Sequence, residues 1–154
     1  MDTTAETVTV ERAIEIDASP ETVWGLLTNP AEATRWMGLS AEFDLRPGGG
    51  YRVEVLSGNI ARGEFVEIDP PHRLVYTFGW ENRVSEVVPG SSTVEFELIP
   101  NGESTIVQFR HYDLPTSDSS ARHGHGWDHY LGRLAVAAAG GDPGVDPWLA
   151  GPIE

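Results

Sequence analysis

The 154-residue chain has no cysteine and no lysine. Without cysteine there are no disulfides, no thiolate metal ligands and no cysteine nucleophile. The ten basic residues are all arginine, scattered from Arg12 to Arg133, and they face 24 acidic residues for a formal net charge of −14. No window is basic enough to hold a nucleic-acid backbone or an anionic membrane surface, so neither is expected as a partner. Long apolar runs are missing too: none approaches the ~20 residues that a transmembrane helix needs. The first residues, MDTTAETVTVERAI, lack a basic leader followed by an apolar stretch, so no signal peptide is expected. A cytoplasmic protein fits these absences.

What is present suits one domain with one core. Residues 8-VTVERAIEID-17 alternate apolar and polar at Val8, Val10, Ile14 and Ile16, with Ala13 breaking the register; this predicts a strand. In 18-ASPETVWGLLTNPAEATRWMG-38, Ser19 is a good N-cap and Pro20 suits the first turn of a helix. Pro30 ends that helix and opens a second short one through Trp36. Three hairpins follow. The first, 41-AEFDLRPGGGYRVEVLSG-58, turns at Pro-Gly-Gly-Gly, the second at Asp69-Pro70-Pro71 and the third at Pro100-Asn101-Gly102. A long helix is expected over 115–139, and a Gly/Pro-rich tail over 140–154 whose apolar feature is Trp148-Leu149. The single domain is therefore placed at 1–139. The predicted class is α+β: a curved antiparallel sheet wrapped around a long C-terminal helix, with two short helices after the first strand.

The segment 123-HGHGWDHYLGRL-134 holds three histidines in seven residues. At 100° per residue, Trp127, Tyr130, Leu131, Leu134 and Ala138 form an apolar stripe, with His123 about 40° from Trp127. His125 and His129 lie about 160° away and are expected in solvent. The i,i+4 spacing of His125 and His129 matches a helical zinc site, but the glutamate of H-E-x-x-H is absent and no third ligand is in view. No metal and no cofactor are expected. Gly126 and Gly132 carry a helix-propensity cost that suggests close approach of something bulky. The Gly48-Gly49-Gly50 turn lacks the Lys-Ser/Thr of a phosphate loop, and no serine or paired carboxylate stands where a nucleophilic set would show.

The motifs 30-PAEATRWM-37, 47-PGGGYRV-53, 67-EIDPPHRLVYTF-78 and the His-x-x-Gly-Trp of 123–127 resemble the START/Bet-v-like (SRPBCC) superfamily. Within it, the chain looks like the proteins named after the activator of the heat-shock-protein-ninety ATPase, over roughly residues 8–138. The resemblance implies the helix-grip fold and a lipophilic pocket between sheet and long helix. The expected border is Trp36, Phe43, Tyr51, Phe78, Phe96, Phe109, Trp127 and Tyr130, with His111 or His123 as polar contact. The expected partner is a hydrophobic small molecule. An enzyme of the polyketide cyclase/hydrolase type, with His123 or His111 as acid/base, is one alternative, and a co-chaperone-like interaction module is another. The oligomeric state stays open, a homodimer included.

Overall fold

The computed structural model describes residues 8–81 and 87–149. Strand β1 (Val8–Ile16) leads into α1 (Pro20–Thr28) and the one-turn α2 (Pro30–Ala33). Six strands follow: β2 (Ser40–Phe43), β3 (Gly50–Leu56), β4 (Asn59–Asp69), β5 (Arg73–Trp80), β6 (Ser92–Asn101) and β7 (Ser104–Leu114). Helix α3 (Ser117–Ala138) and a 3-10 turn (Pro147–Leu149) complete the order. The seven strands form one antiparallel sheet in the order β1-β7-β6-β5-β4-β3-β2. The helix-grip class expected from the sequence is the fold observed.

Local chemistry explains the boundaries. The Ser19 side chain accepts from the Thr22 N–H and Pro20 takes the first turn of α1. Asn29 closes α1 and caps α2 by accepting from the Ala31 N–H. Thr116 caps α3 by accepting from the Ser119 N–H. The β2–β3 turn needs glycine at one place above all: a Cβ on Gly49 would lie 2.0 Å from the Asp44 carbonyl oxygen.

In β1 the alternation is unbroken, contrary to the expected slip at Ala13. Ala13 faces outward and Arg12 takes the inward slot, where it meets Asp128 of α3 at 2.5 Å. The apolar contribution of β1 is thereby concentrated at Val10 and Ile16, both buried.

Two coverings share the inner face of the sheet. Helix α3 lies mainly along β1, while α1 reaches β6 and β7 and α2 rests against β2. Inward residues from both halves form one apolar core, from Ile16 and Val107 through Phe96 and Phe109 to Phe65 and Tyr76.

Candidate functional site

The long helix meets the sheet through two histidine–tryptophan pairs. His111, on β7, is fully buried. The indole N–H of Trp127 donates to its Nδ1 at 3.0 Å. An indole nitrogen only donates, so Nδ1 carries the lone pair and Nε2 carries the proton. That Nε2–H donates to Ser92 Oγ at 2.8 Å, and the serine hydroxyl passes its own hydrogen to the Phe78 carbonyl at 2.8 Å. His123 uses the opposite tautomer: Nδ1–H donates to the Ser119 carbonyl at 2.7 Å, and Nε2 accepts from the Trp80 indole at 3.0 Å. Burial, and then the nearby His123, holds the His111 imidazole well below its ordinary pKa. With every ring nitrogen committed, neither imidazole is set up to take a proton from a substrate.

Aromatic rings fill the space around these pairs. Phe78 lies 4.8 Å from His111, and Phe109 lies 4.5 Å from Trp127, with Phe96 5.1 Å from Phe109. Phe78, Phe96, Phe109 and Trp127 are each no more than 5% exposed. The rings that were expected to wall a pocket under α3 here pack on one another, because the phenyl and indole groups are large enough to close the gap.

Open space lies instead toward the short helices. A cavity of about 10 Å³ is lined by Leu27, Ala33, Trp36 and Met37 above and by Phe43, Tyr51, Val53, Leu74, Tyr76 and Phe96 below. Three of its rings form a near-parallel ladder: Phe43 and Tyr51 at 5.3 Å and 7°, Tyr51 and Tyr76 at 4.1 Å and 19°. Phe65 meets all three edge-on. Burial raises the pKa of both tyrosines, so they stay protonated. Beside this cavity runs an open groove of about 860 Å³. Glu42, Asp44, Arg52, Arg62 and Glu64 supply its charged lining, Pro89 and Gly90 one flank, and Phe43 and Tyr51 line it as well. Arg52 and Arg62 sit directly opposite each other on neighbouring strands. Arg62 reaches Glu81 at 3.4 Å.

The outer face of α3 holds the tail. Asp146 accepts from Tyr130 Oη at 2.6 Å, from the Trp148 N–H at 3.0 Å, and lies 2.8 Å from His129 Nε2. Trp148 stacks on His129 at 3.7 Å and 16°. Arg133 donates to the Pro143 and Gly144 carbonyls and, at 2.9 Å, to the Trp36 carbonyl. His125 is exposed as expected, but His129 is half-buried beneath Trp148 and does not face open solvent. Among the described residues, no three histidine or acidic side chains are grouped to hold a metal.

The ten residues singled out from the sequence thus fall into three places. Phe78, Phe96, Phe109, His111, His123 and Trp127 form the packed cluster, with Phe96 also reaching the small cavity. Trp36, Phe43 and Tyr51 line that cavity. Tyr130 turns its hydroxyl to the tail. Sequence reasoning missed Tyr76, although its alternation with Phe78 on β5 signals it. It missed Trp80, Ser92 and Asp146 because nothing local marks them as partners of distant imidazoles or of a phenol.

Fold and site together place the chain among START-like helix-grip domains. Residues 17–139 match the family of activator of Hsp90 ATPase homolog 1-like proteins, and the chain belongs to that family. No functionally curated protein matches the sequence. Among solved structures, an AHSA1-like protein from Rhizobium etli is 46% identical, with a TM-score of 0.76 over 100% of this chain and 96% of that one. An HSP90 activator from Plasmodium falciparum is 27% identical, with a TM-score of 0.71 over 84% and 94%. The Aha1 dimer from Colwellia psychrerythraea, 21% identical with a TM-score of 0.75 over 87% and 98%, shares the fold. No helix among the described residues is long and apolar enough to cross a membrane.

Proposed function

We propose that this protein binds a small, mostly apolar molecule where its outer groove adjoins the cavity beneath α1 and α2. The observation that carries this reading is the double role of Phe43 and Tyr51, which line both spaces. The cavity alone is too small for a ligand, but the groove lies within the ~300–1,000 Å³ typical of ligand sites. Phe43 stands on a four-residue edge strand, next to the one-turn helix α2. This is a short, lightly braced wall, and its displacement would join the two spaces. The ring nitrogens of His111 and His123, the acid–base candidates in the sequence, are committed to other partners, and this favours binding over acid–base chemistry as the protein's role.

A hydrophobic fluorescent probe tests the reading on the full chain. Saturable binding is expected, weakened several-fold by Phe43→Trp, which enlarges the shared wall. Phe109→Leu, in the packed cluster, should leave the affinity of the folded protein unchanged. If the probe does not saturate, or if only Phe109→Leu alters binding, the small-molecule reading fails. A role as a co-chaperone-like interaction module would then take its place, in line with the relative described as an HSP90 activator.

A further inference from the structure

We propose that Arg52 and Arg62 form an anion-binding site in the outer groove and that the ligand class is a monocarboxylic acid with an apolar body, a step that rests on the small-molecule reading above.

The two arginines stand where stability alone would not put them. They are directly opposite each other on β3 and β4, and both line the groove. Side chains in that relation start about 4.5–5.5 Å apart at Cβ, and like charges there repel. With ten basic residues against 24 acidic ones, two adjacent guanidinium groups reverse the local charge of a strongly acidic chain. Their neighbours do not cancel this. Arg62 reaches Glu81 at 3.4 Å, a longer contact than the 2.9 Å between Arg46 and Asp44. Arg52 is half-buried and, among the described residues, joins no ion pair, although Glu42 lies directly opposite it on β2. A guanidinium presents a planar fork that a carboxylate meets with two parallel hydrogen bonds. A carboxylate between Arg52 and Arg62 turns their mutual repulsion into a shared attraction.

The acidic residues of the groove limit the charge of the guest. Asp44 is held by the Arg46 Nε at 2.9 and 3.1 Å. Glu42 and Glu64 are exposed and repel any anion in the groove. A single carboxylate meets this repulsion with one charge, whereas a phosphate dianion meets it with two and is disfavoured. Phe43 and Tyr51 line the same groove and continue into the cavity beneath α1 and α2. A molecule held by its carboxylate at Arg52 and Arg62 therefore has an apolar surface for its body within the same space.

Two probes that differ in charge separate this site from the reading beneath it. 2-Naphthoate and 2-naphthamide share one ring system and nearly one shape. Calorimetric titration of the full-length protein at pH 8 should show the naphthoate binding about three- to tenfold more tightly, the range of a partly exposed charge-assisted contact. Arg52→Gln and Arg62→Gln should each reduce the preference, and the double variant should abolish it. Both side chains lie outside the apolar core, so the variants keep the fold. Equal binding of the two probes to the wild type overturns the anion site and leaves the small-molecule reading standing. A preference for naphthoate that survives the double substitution also overturns it, as does binding of neither naphthyl probe while the hydrophobic fluorescent probe saturates. If none of the three binds, the small-molecule reading fails and the anion site falls with it.

Discussion

A histidine with no exposed surface is held neutral at a thermodynamic cost that depends on pH. His111 accepts from Trp127 at one nitrogen and donates to Ser92 at the other. Protonating it would put a hydrogen on Nδ1, facing the indole N–H. The folded-state pKa is therefore depressed, while the unfolded chain titrates near ~6.5. Below that value the unfolded state binds more protons than the folded state, so stability rises with pH and falls on acidification. Between pH ~6.5 and 5 the His111 contribution to this loss should approach about 1.4 kcal/mol per pH unit. Urea unfolding across that range, for wild type and His111→Gln, checks it: the slope should be shallower in the variant. At pH 8 the same variant should be less stable by about 1–3 kcal/mol, because it disturbs the partners of Trp127 and Ser92.

Helix α3 shows how an element's periodicity is read and where the reading stops. The 3.6-residue repeat correctly turns Trp127, Tyr130, Leu131 and Leu134 inward. The helix glycines behave otherwise than expected. A Cβ on Gly126 or Gly132 would meet nothing within 4 Å. The tight spot is Gly124, where a Cβ would come within 2.9 Å of the Arg12 guanidinium. Arg12 is there because an arginine occupies an inward slot of β1 and pairs with Asp128, a contact across 116 positions. Gly126→Ala and Gly132→Ala should each stabilise the protein by about 0.5–1 kcal/mol, with higher melting temperatures. Gly124→Ala should gain less, since the new methyl pushes Arg12 away from Asp128.

At the scale of the whole molecule, the tail behaves as a strap across the exposed side of α3. Burial alone would raise the Asp146 pKa, but hydrogen bonds from Tyr130, the Trp148 N–H and His129 outweigh it and hold the carboxyl below its usual range. The stabilisation this provides is present above the unfolded carboxylate value, near ~4, and is lost as pH falls through the lower folded value. Asp146→Asn should therefore cost about 1–3 kcal/mol at neutral pH, with the difference from wild type closing in acid below pH ~4. Chemical denaturation at both pH values checks it. A variant ending at residue 139 should also speed amide exchange around Trp36, whose carbonyl is held by Arg133, itself tied to Pro143 and Gly144.

The elements, their order and the fold class were legible in the amino-acid sequence. Those depend on short-range physics: two-residue alternation in strands, 3.6-residue periodicity in α3, Ser19 and Pro20 at a helix start, and glycine where a turn leaves no room for a Cβ. Most of the candidate aromatics could also be placed facing inward, because alternation sets a side chain's face. Whether inward rings leave space depends on how the folded chain packs. Phe78, Phe109 and Trp127 close on each other, while Phe43, Tyr51 and Tyr76 border an opening, and that difference depends on angstrom-scale distances between strands and helices remote in sequence. The same holds for His129, outward by helical phase yet covered by Trp148, and for the imidazole protons, placed by indoles and hydroxyls that no local pattern ties to them. Packing and hydrogen-bond pairing are long-range, and they are settled when the chain closes on itself.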